Sequence, residues 1–163
     1  MRLFFALLIC LLLSGNVCAA LDHGRVSWIY DGDTIEVAGI GKVRLLGIDT
    51  PEKEDSARDD YYRKRWHISS AQLRRIAHQA LAFNIAQVKN RSVQLEYDRE
   101  PRDKYGRVLA YVFLPDGRML NRLLLEEGLA SVYRRFDFRF KPDFLKAEEM
   151  ARKRQLGLWR KNP

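Results

Sequence analysis

Three short polar clusters in this sequence contain residue types that can bind a metal ion or a phosphate group. They are Asp31-Gly32-Asp33-Thr34, Asp49-Thr50-Pro51-Glu52 and Asp103-Lys104-Tyr105-Gly106-Arg107. Carboxylate and carbonyl oxygens suit hard cations such as calcium, and the lack of His and Cys in the clusters disfavours zinc. Taken singly, the first two clusters are better explained as a hairpin turn and a strand end.

Arg44 changes this balance because it lies in an apolar run, residues 43–48, that predicts a buried strand. A guanidinium near the core needs an anionic partner. That partner is either Asp33 or Asp49, in an internal salt bridge, or a phosphate shared with Arg107. Strand alternation would send Arg44 and Asp49 to opposite faces, so we expect a bend near Gly47.

Glu52 follows Pro51, whose ring restricts the backbone of the loop. A carboxylate held beside a metal and a phosphate can orient or deprotonate an attacking water. The alternative is a solvated loop glutamate, which is the commonest state of this residue type.

Five short strands and three helices are predicted to position these clusters. Hydrophobic alternation and turn residues predict strands at 26–30, 34–37, 43–48, 92–97 and 108–114. A capping box at Ser69 opens a helix that runs to about Asn90, and two further helices are predicted at 120–127 and from Lys141 to about Gly157. Residues 52–68 lack clear periodicity and are predicted to be a loop. The pattern favours an α+β domain built on a five-stranded OB-type β-barrel.

The first twenty residues have the features of a secretory signal peptide, with cleavage after Ala19 or Ala20. We therefore expect export, either to a periplasm or as a secreted protein, with no membrane anchor after cleavage. Both cysteines, Cys10 and Cys18, lie in this segment, so the mature chain has no thiol for a disulfide or a metal. Residues 21–163 are predicted to form a single domain. A net charge of +8 favours an anionic partner, either nucleic acid or a membrane surface.

Several motifs together resemble the staphylococcal nuclease (thermonuclease) family. DGDT, RLLGIDTPE and DKYGRVLAY occur in this order, and MLNRLLLEEGLASV and AEEMARKRQLGLW extend the resemblance over about residues 24–159. The resemblance implies an SNase-like OB-type barrel with three helices. It also implies a phosphodiesterase, an endonuclease that uses Ca²⁺ to hydrolyse both DNA and RNA and leaves 3′-phosphates.

The same resemblance implies a role for each residue that matches a family motif. The implied metal ligands are the side chains of Asp33 and Asp49 and the carbonyl of Thr50. Arg44 and Arg107 would contact the scissile phosphate, and Glu52 would act on the attacking water. The weaker assignments are Lys104 and Tyr105 beside the nucleotide and Asp31 as an outer support of the metal site.

Two regions depart from the family pattern. The segment after Glu52 is longer and mixes aromatic and cationic residues, namely Tyr61, Tyr62, Arg63, Lys64, Arg65 and Trp66. That combination suits binding of single strands, and a basic loop packed on its own helix is an equal alternative. After Val132, the nucleotide-stacking tyrosines of the family have no clear match.

The expected partners are DNA and RNA, preferably single-stranded or denatured, and a monomer without a stable protein partner is expected. The alternative function is a non-catalytic OB-fold module that binds nucleic acid, and such binding would not respond to calcium. A basic domain that docks on anionic lipid has only the net charge of +8 in its favour.

Overall fold

A computed structural model describes residues 21–160, in which five strands close into a barrel. The predicted signal peptide, residues 1–20, lies outside the described residues. The barrel order is β1-β2-β3-β6-β5, with β3 and β6 parallel and the other pairs antiparallel. The strands are β1 (Leu21–Ile29), β2 (Thr34–Val37), β3 (Gly41–Leu45), β4 (Ile48–Asp49), β5 (Ser92–Glu96), β6 (Val108–Phe113) and β7 (Ser131–Val132).

Within residues 21–160, four α-helices pack around the barrel, one more than the sequence predicts. They are α1 (Asp59–Trp66), α2 (Ser70–Val88), α3 (Leu120–Glu126) and α4 (Lys141–Lys153), followed by a short 3-10 helix at Gly157–Trp159. The additional helix, α1, lies in the segment that was predicted to be a loop. The expected cap of α2 is confirmed, because the hydroxyl of Ser69 accepts a hydrogen bond from the backbone N–H of Gln72 at 3.3 Å. None of the helices in residues 21–160 combines the length and apolar character that a membrane crossing requires.

The predicted strand 43–48 is interrupted, and this interruption matters for the site. β3 ends at Leu45, and β4 pairs with β7 in a separate two-stranded sheet. Gly47 has a φ of +81°, and a Cβ atom there would lie 2.6 Å from the ring of Phe138. The expected bend near Gly47 is therefore confirmed, because only glycine combines this φ with this contact.

A buried asparagine stabilises the chain at this bend. The side-chain amide of Asn121 in α3 donates to the carbonyl of Leu46 at 2.9 Å and to that of Ala110 at 3.2 Å. Its oxygen accepts from the backbone N–H of Val112 at 2.9 Å. Asn121 is fully buried, and its three bonds join α3 to the chain at the bend and to β6, where the carbonyl of Ala110 also accepts the backbone N–H of Leu46 at 2.9 Å.

Candidate functional site

The turn between β1 and β2 is held against α2, and this contact directs Asp33 inward. The amide of Asn84 in α2 donates to the carbonyl of Gly32 at 2.9 Å. A Cβ at Gly32 would meet the side chains of Ala80 and Thr50 at 2.7 Å, so the turn can approach α2 only with glycine here. The carboxylate of Asp31 accepts a hydrogen bond from the backbone N–H of Asp33 at 2.9 Å, and this bond stabilises the turn.

Asp33 is buried and connects the turn to the end of β4. One carboxylate oxygen, Oδ2, accepts from the backbone N–H of Thr50 at 3.0 Å and from its hydroxyl at 3.1 Å. The other, Oδ1, accepts from the hydroxyl of Thr34 at 3.1 Å. These donors stabilise the ionised carboxylate despite its burial.

Arg44 lies between the two candidate metal ligands. It is paired with Thr34 across the β2–β3 ladder, and its Nη1 bonds to Oδ1 of Asp33. Its Nη2 donates to Oδ1 of Asp49 at 3.1 Å and to the carbonyl of Ile48 at 3.4 Å. In this structure the internal salt bridge predicted for Arg44 therefore forms with both carboxylates. Burial lowers the pKa of Arg44, while the charge of Asp49 opposes this change, and the guanidinium stays protonated.

Helix α1 brings two side chains that sequence reasoning did not assign to the site. Arg58, at the start of α1, forms a salt bridge with Oδ1 of Asp49. Tyr62 is fully buried, and its hydroxyl donates to Oδ2 of Asp49 at 3.1 Å. Stacking on single strands was one of two alternatives for the segment that contains Tyr62, and the burial of this ring excludes Tyr62 from that role. Burial and the charge of Asp49 raise the pKa of Tyr62 well above its ordinary value, so the phenol keeps its proton.

The sequence contains a signal for α1, although not the apolar periodicity that usually marks a helix. Its first turn carries Asp59 and Asp60, and its last turn carries Arg63, Lys64 and Arg65. This order complements the helix dipole and favours a helix. Arg58 and Tyr62 are four residues apart, which places them on one face of that helix.

Arg107 lies beside the start of β3, because β6 pairs with β3 in parallel and Val108 is opposite Val43. Its side chain bonds to Oδ2 of Asp103 at 2.7 Å, and Oδ1 of Asp103 accepts two backbone N–H groups of the same loop. Burial is the main reason that the pKa of Arg44 is lowered, and the charge of Arg107 acts in the same direction. The two predicted phosphate-binding arginines are therefore neighbours at one side of the barrel.

The remaining predicted residues lie around these groups. Tyr105 is 71% exposed, and the ammonium of Lys104 lies 5.0 Å and the guanidinium of Arg107 5.5 Å from the centre of its ring. Glu52 is partly exposed and directly follows the buried Pro51. The structure thus joins Asp33, Arg44, Asp49 and Thr50 in one hydrogen-bonded cluster, while Glu52, Lys104, Tyr105 and Arg107 occupy adjoining loops.

The cluster fits a hard cation by the chemistry of its donors. Within residues 21–160 there is no group of three or more Asp, Glu, His or Cys side chains arranged for a metal ion. Two carboxylates, from Asp33 and Asp49, do converge on one cationic group, the guanidinium of Arg44. A site with two carboxylates and oxygen donors only suits a cation that keeps several waters.

Comparison with known proteins agrees with this architecture. Residues 42–161 match the family described as staphylococcal nuclease homologue. A thermonuclease of Staphylococcus intermedius is 38% identical over 141 residues, covering 82% of this chain and 74% of that protein. An uncharacterised endonuclease of Escherichia coli is 34% identical, covering 93% and 86%, and an uncharacterised protein of Methanocaldococcus jannaschii is 37% identical, covering 84% and 71%. This chain belongs to the staphylococcal nuclease homologue family.

Proposed function

We propose that this protein is a calcium-dependent nuclease that hydrolyses DNA and RNA and leaves 3′-phosphates. Its general class, a nuclease and hence a phosphodiesterase, follows from its family and from relatives named thermonuclease and endonuclease. The observation that best supports the more detailed proposal is the position of Arg44 between the buried carboxylates of Asp33 and Asp49.

Arg44 and Arg107 are the proposed phosphate ligands. Each guanidinium is now bonded to carboxylates, Arg44 to Asp33 and Asp49 and Arg107 to Asp103. A phosphodiester presents the same kind of oxygen pair, so it can replace a carboxylate as the partner of a guanidinium. Once a phosphodiester has replaced these carboxylates, the two guanidinium groups can stabilise the charge that develops on the phosphoryl oxygens.

The side chains of Asp33 and Asp49 and the carbonyl of Thr50 are the proposed calcium ligands, and Asp31 supports Asp33 from behind. Bound calcium would supply positive charge to the phosphoryl oxygens. The backbone N–H and hydroxyl of Thr50 hold Asp33 in place, and Tyr62 holds Asp49. These contacts limit the rotation of both carboxylates, which favours one arrangement of donors.

Glu52 is the proposed acceptor of the proton from the attacking water. The new bond joins the water oxygen to phosphorus, and the bond from phosphorus to the 5′ oxygen breaks. The proton passes from water to Glu52, and the leaving oxygen takes a proton from solvent, because a guanidinium does not release one. The exposed ring of Tyr105 with Lys104 provides a surface beside the nucleotide, which favours single-stranded or denatured substrate.

The test is digestion of heat-denatured DNA and of RNA by the mature protein, with calcium or with a calcium chelator. We expect cleavage only with calcium, products that end in 3′-phosphate, and loss of cleavage in Arg44→Ala prepared in parallel. Binding of nucleic acid without cleavage, unaffected by calcium and by Glu52→Gln, would instead identify the non-catalytic module. Cleavage that survives Arg44→Ala would point to a contaminating nuclease.

We also propose that the protein is a monomer and that it is exported after removal of its first 19 or 20 residues. The export proposal rests on the pattern of the first twenty residues, and no contact in residues 21–160 bears on it. The N-terminal sequence of protein recovered from the periplasm or the medium should begin at Ala20 or Leu21. An N-terminus at Met1 in a cytoplasmic fraction would contradict export.

A further inference from the structure

We propose that Arg58, the residue immediately before α1, is a third phosphate-binding arginine, an inference that rests on the proposed nuclease function. Arg58 and Arg44 both bond to the same oxygen, Oδ1 of Asp49. Their exposure differs, because the side chain of Arg44 is 12% exposed and that of Arg58 is 41% exposed. Arg58 therefore lies on the solvent side of the cluster, where an incoming phosphate can reach it.

Arg58 is held in this position by the residues that follow it. Asp59 is buried and bonds to Nη2 of Arg74 in α2 at 2.6 Å. Tyr62, one turn later, contacts Asp49 and the hydroxyl of Ser131 at 3.2 Å. These two anchors attach α1 to α2 and to β7 without using Arg58. The Arg58 side chain is thus free to exchange its partner while the helix stays in place.

The charges of the cluster favour exchange of the Asp49 carboxylate for another anion as the partner of Arg58. Asp33 and Asp49 carry two negative charges, and Arg44 and Arg58 carry two positive charges. The net charge of these four side chains is therefore zero. A divalent cation on the two carboxylates would leave both guanidinium groups without their compensating charge. A phosphodiester then becomes the best available partner, because guanidinium binds phosphate oxygens in the same bidentate way as carboxylate.

A purely structural salt bridge is the competing explanation for the contact between Arg58 and Asp49. Under that explanation Arg58 orients Asp49 and never touches substrate. The two roles differ in calcium binding. If Arg58 competes with calcium for Asp49, removing Arg58 should strengthen calcium binding or leave it unchanged. If Arg58 instead orients Asp49 for calcium, removing Arg58 should weaken calcium binding.

The experiment compares the wild type with Arg58→Ala, Arg58→Lys and Arg75→Ala. Arg75 is an exposed arginine on the neighbouring helix α2, so Arg75→Ala matches the loss of one guanidinium charge at a position with no assigned role in binding. Calorimetry would first measure binding of calcium alone. It would then measure binding of thymidine 3′-phosphate in saturating calcium, since this nucleotide has no phosphodiester bond to cleave. Steady-state cleavage of denatured DNA completes the comparison, and circular dichroism checks the fold of each variant.

We expect Arg58→Ala to bind the nucleotide about tenfold more weakly and to lose about 10- to 100-fold in kcat/KM, with calcium affinity unchanged or higher. Arg58→Lys should recover part of both losses, and Arg75→Ala should stay within about twofold of the wild type. Nucleotide affinity and kcat/KM at the wild-type level in Arg58→Ala would overturn the inference. Weaker calcium binding in Arg58→Ala would also overturn it, in favour of the structural role.

The design separates this inference from the proposed function. Wild-type protein that cleaves denatured DNA with calcium, while Arg58→Ala behaves identically, leaves the nuclease proposal standing and rejects only the role of Arg58. Wild-type protein that neither binds the nucleotide nor cleaves DNA rejects both.

Discussion

The hydroxyl of Tyr62 donates a hydrogen bond to Oδ2 of Asp49 at 3.1 Å. Oδ1 of the same carboxylate bonds to Arg44 and Arg58, so Asp49 has partners on both oxygens. Through this contact, α1 becomes part of the wall of the candidate site. A segment that the sequence predicts to be a loop thus contributes directly to the position of a proposed metal ligand.

Tyr62→Phe should weaken calcium binding and lower stability. The substitution keeps the buried ring and removes the donor that orients Asp49, so we expect a roughly tenfold loss in calcium affinity. The lost hydrogen bond should lower the free energy of unfolding by about 1–2 kcal/mol. Calorimetric calcium titration and urea unfolding measure the two effects. Tyr61→Phe, at the exposed neighbouring ring, is the control and should change neither quantity.

Arg44→Ala should make the stability of the protein depend strongly on calcium. Without Arg44, the nearly buried carboxylates of Asp33 and Asp49 lose their shared cation, which should cost about 3 kcal/mol in chelator. Calcium restores positive charge to both carboxylates and should recover most of this loss. Thermal unfolding of Arg44→Ala and of the wild type, with and without calcium, measures this dependence of stability on calcium. A calcium-induced rise in Tm no larger than that of the wild type would contradict it.

Gly47→Ala should disrupt the bend that brings Arg44 and Asp49 together. A methyl group there meets the ring of Phe138 in addition to the cost of a φ of +81°. Gly41→Ala is a matched control, since its φ is +99° and no atom lies within 4 Å of the added Cβ. We expect Gly47→Ala to lose about 2 kcal/mol more stability than Gly41→Ala in urea unfolding. Equal losses of unfolding free energy in the two variants would mean that the ring of Phe138 can move aside at little cost.

Asp59→Asn should detach the start of α1. The buried carboxylate of Asp59 bonds to Arg74, and neutralising it leaves this guanidinium with only the exposed carboxylate of Asp55, at 3.3 Å, as a charged partner. We expect a loss of about 2–3 kcal/mol in unfolding free energy and faster hydrogen exchange in α1. Arg63→Ala breaks the exposed pair with Asp60 on the same helix and should leave stability unchanged. Similar effects of the two substitutions would argue against Asp59 as the anchor.

Asp98 should contribute to stability above the acid range and lose this contribution at low pH. Burial alone would raise its pKa, but hydrogen bonds from the backbone of Arg139, the hydroxyl of Tyr111 and the backbone of Arg99 lower it below the ordinary 3.8. A lowered pKa in the folded state stabilises the fold above the unfolded-state pKa, and this stabilisation disappears as pH falls through the folded-state pKa.

Asp98→Asn should therefore be less stable than the wild type at pH 6, by about 1 kcal/mol. The difference should narrow as the pH falls below about 4, where Asp98 of the unfolded chain takes up a proton, and should be lost below the folded-state pKa. Urea unfolding at a series of pH values measures this difference. A constant difference from pH 6 to pH 2 would show that the ionised form of Asp98 is not the stabilising one.

Much of the barrel could be predicted from the sequence, because its signals are local. Alternating apolar residues and glycine-containing turns mark the strands, and the capping serine marks the start of α2. The need of Arg44 for a negative partner also follows from its apolar neighbours, and the sequence left that partner open between Asp33 or Asp49 and a phosphate. The bend at Gly47 followed from the same requirement.

The contacts of α1 could not be predicted, because they join residues that are distant along the chain. Tyr62 meets Ser131 across 69 residues, and Arg58 meets Asp49 through a helix whose charged sequence shows no apolar period. Local propensity does not determine which buried group a tyrosine hydroxyl will reach. The sequence alone therefore determined which residues could carry the chemistry. The tertiary packing of α1 on the end of β4 decided which side chains support Asp49, since only packing brings those polar atoms within hydrogen-bonding distance.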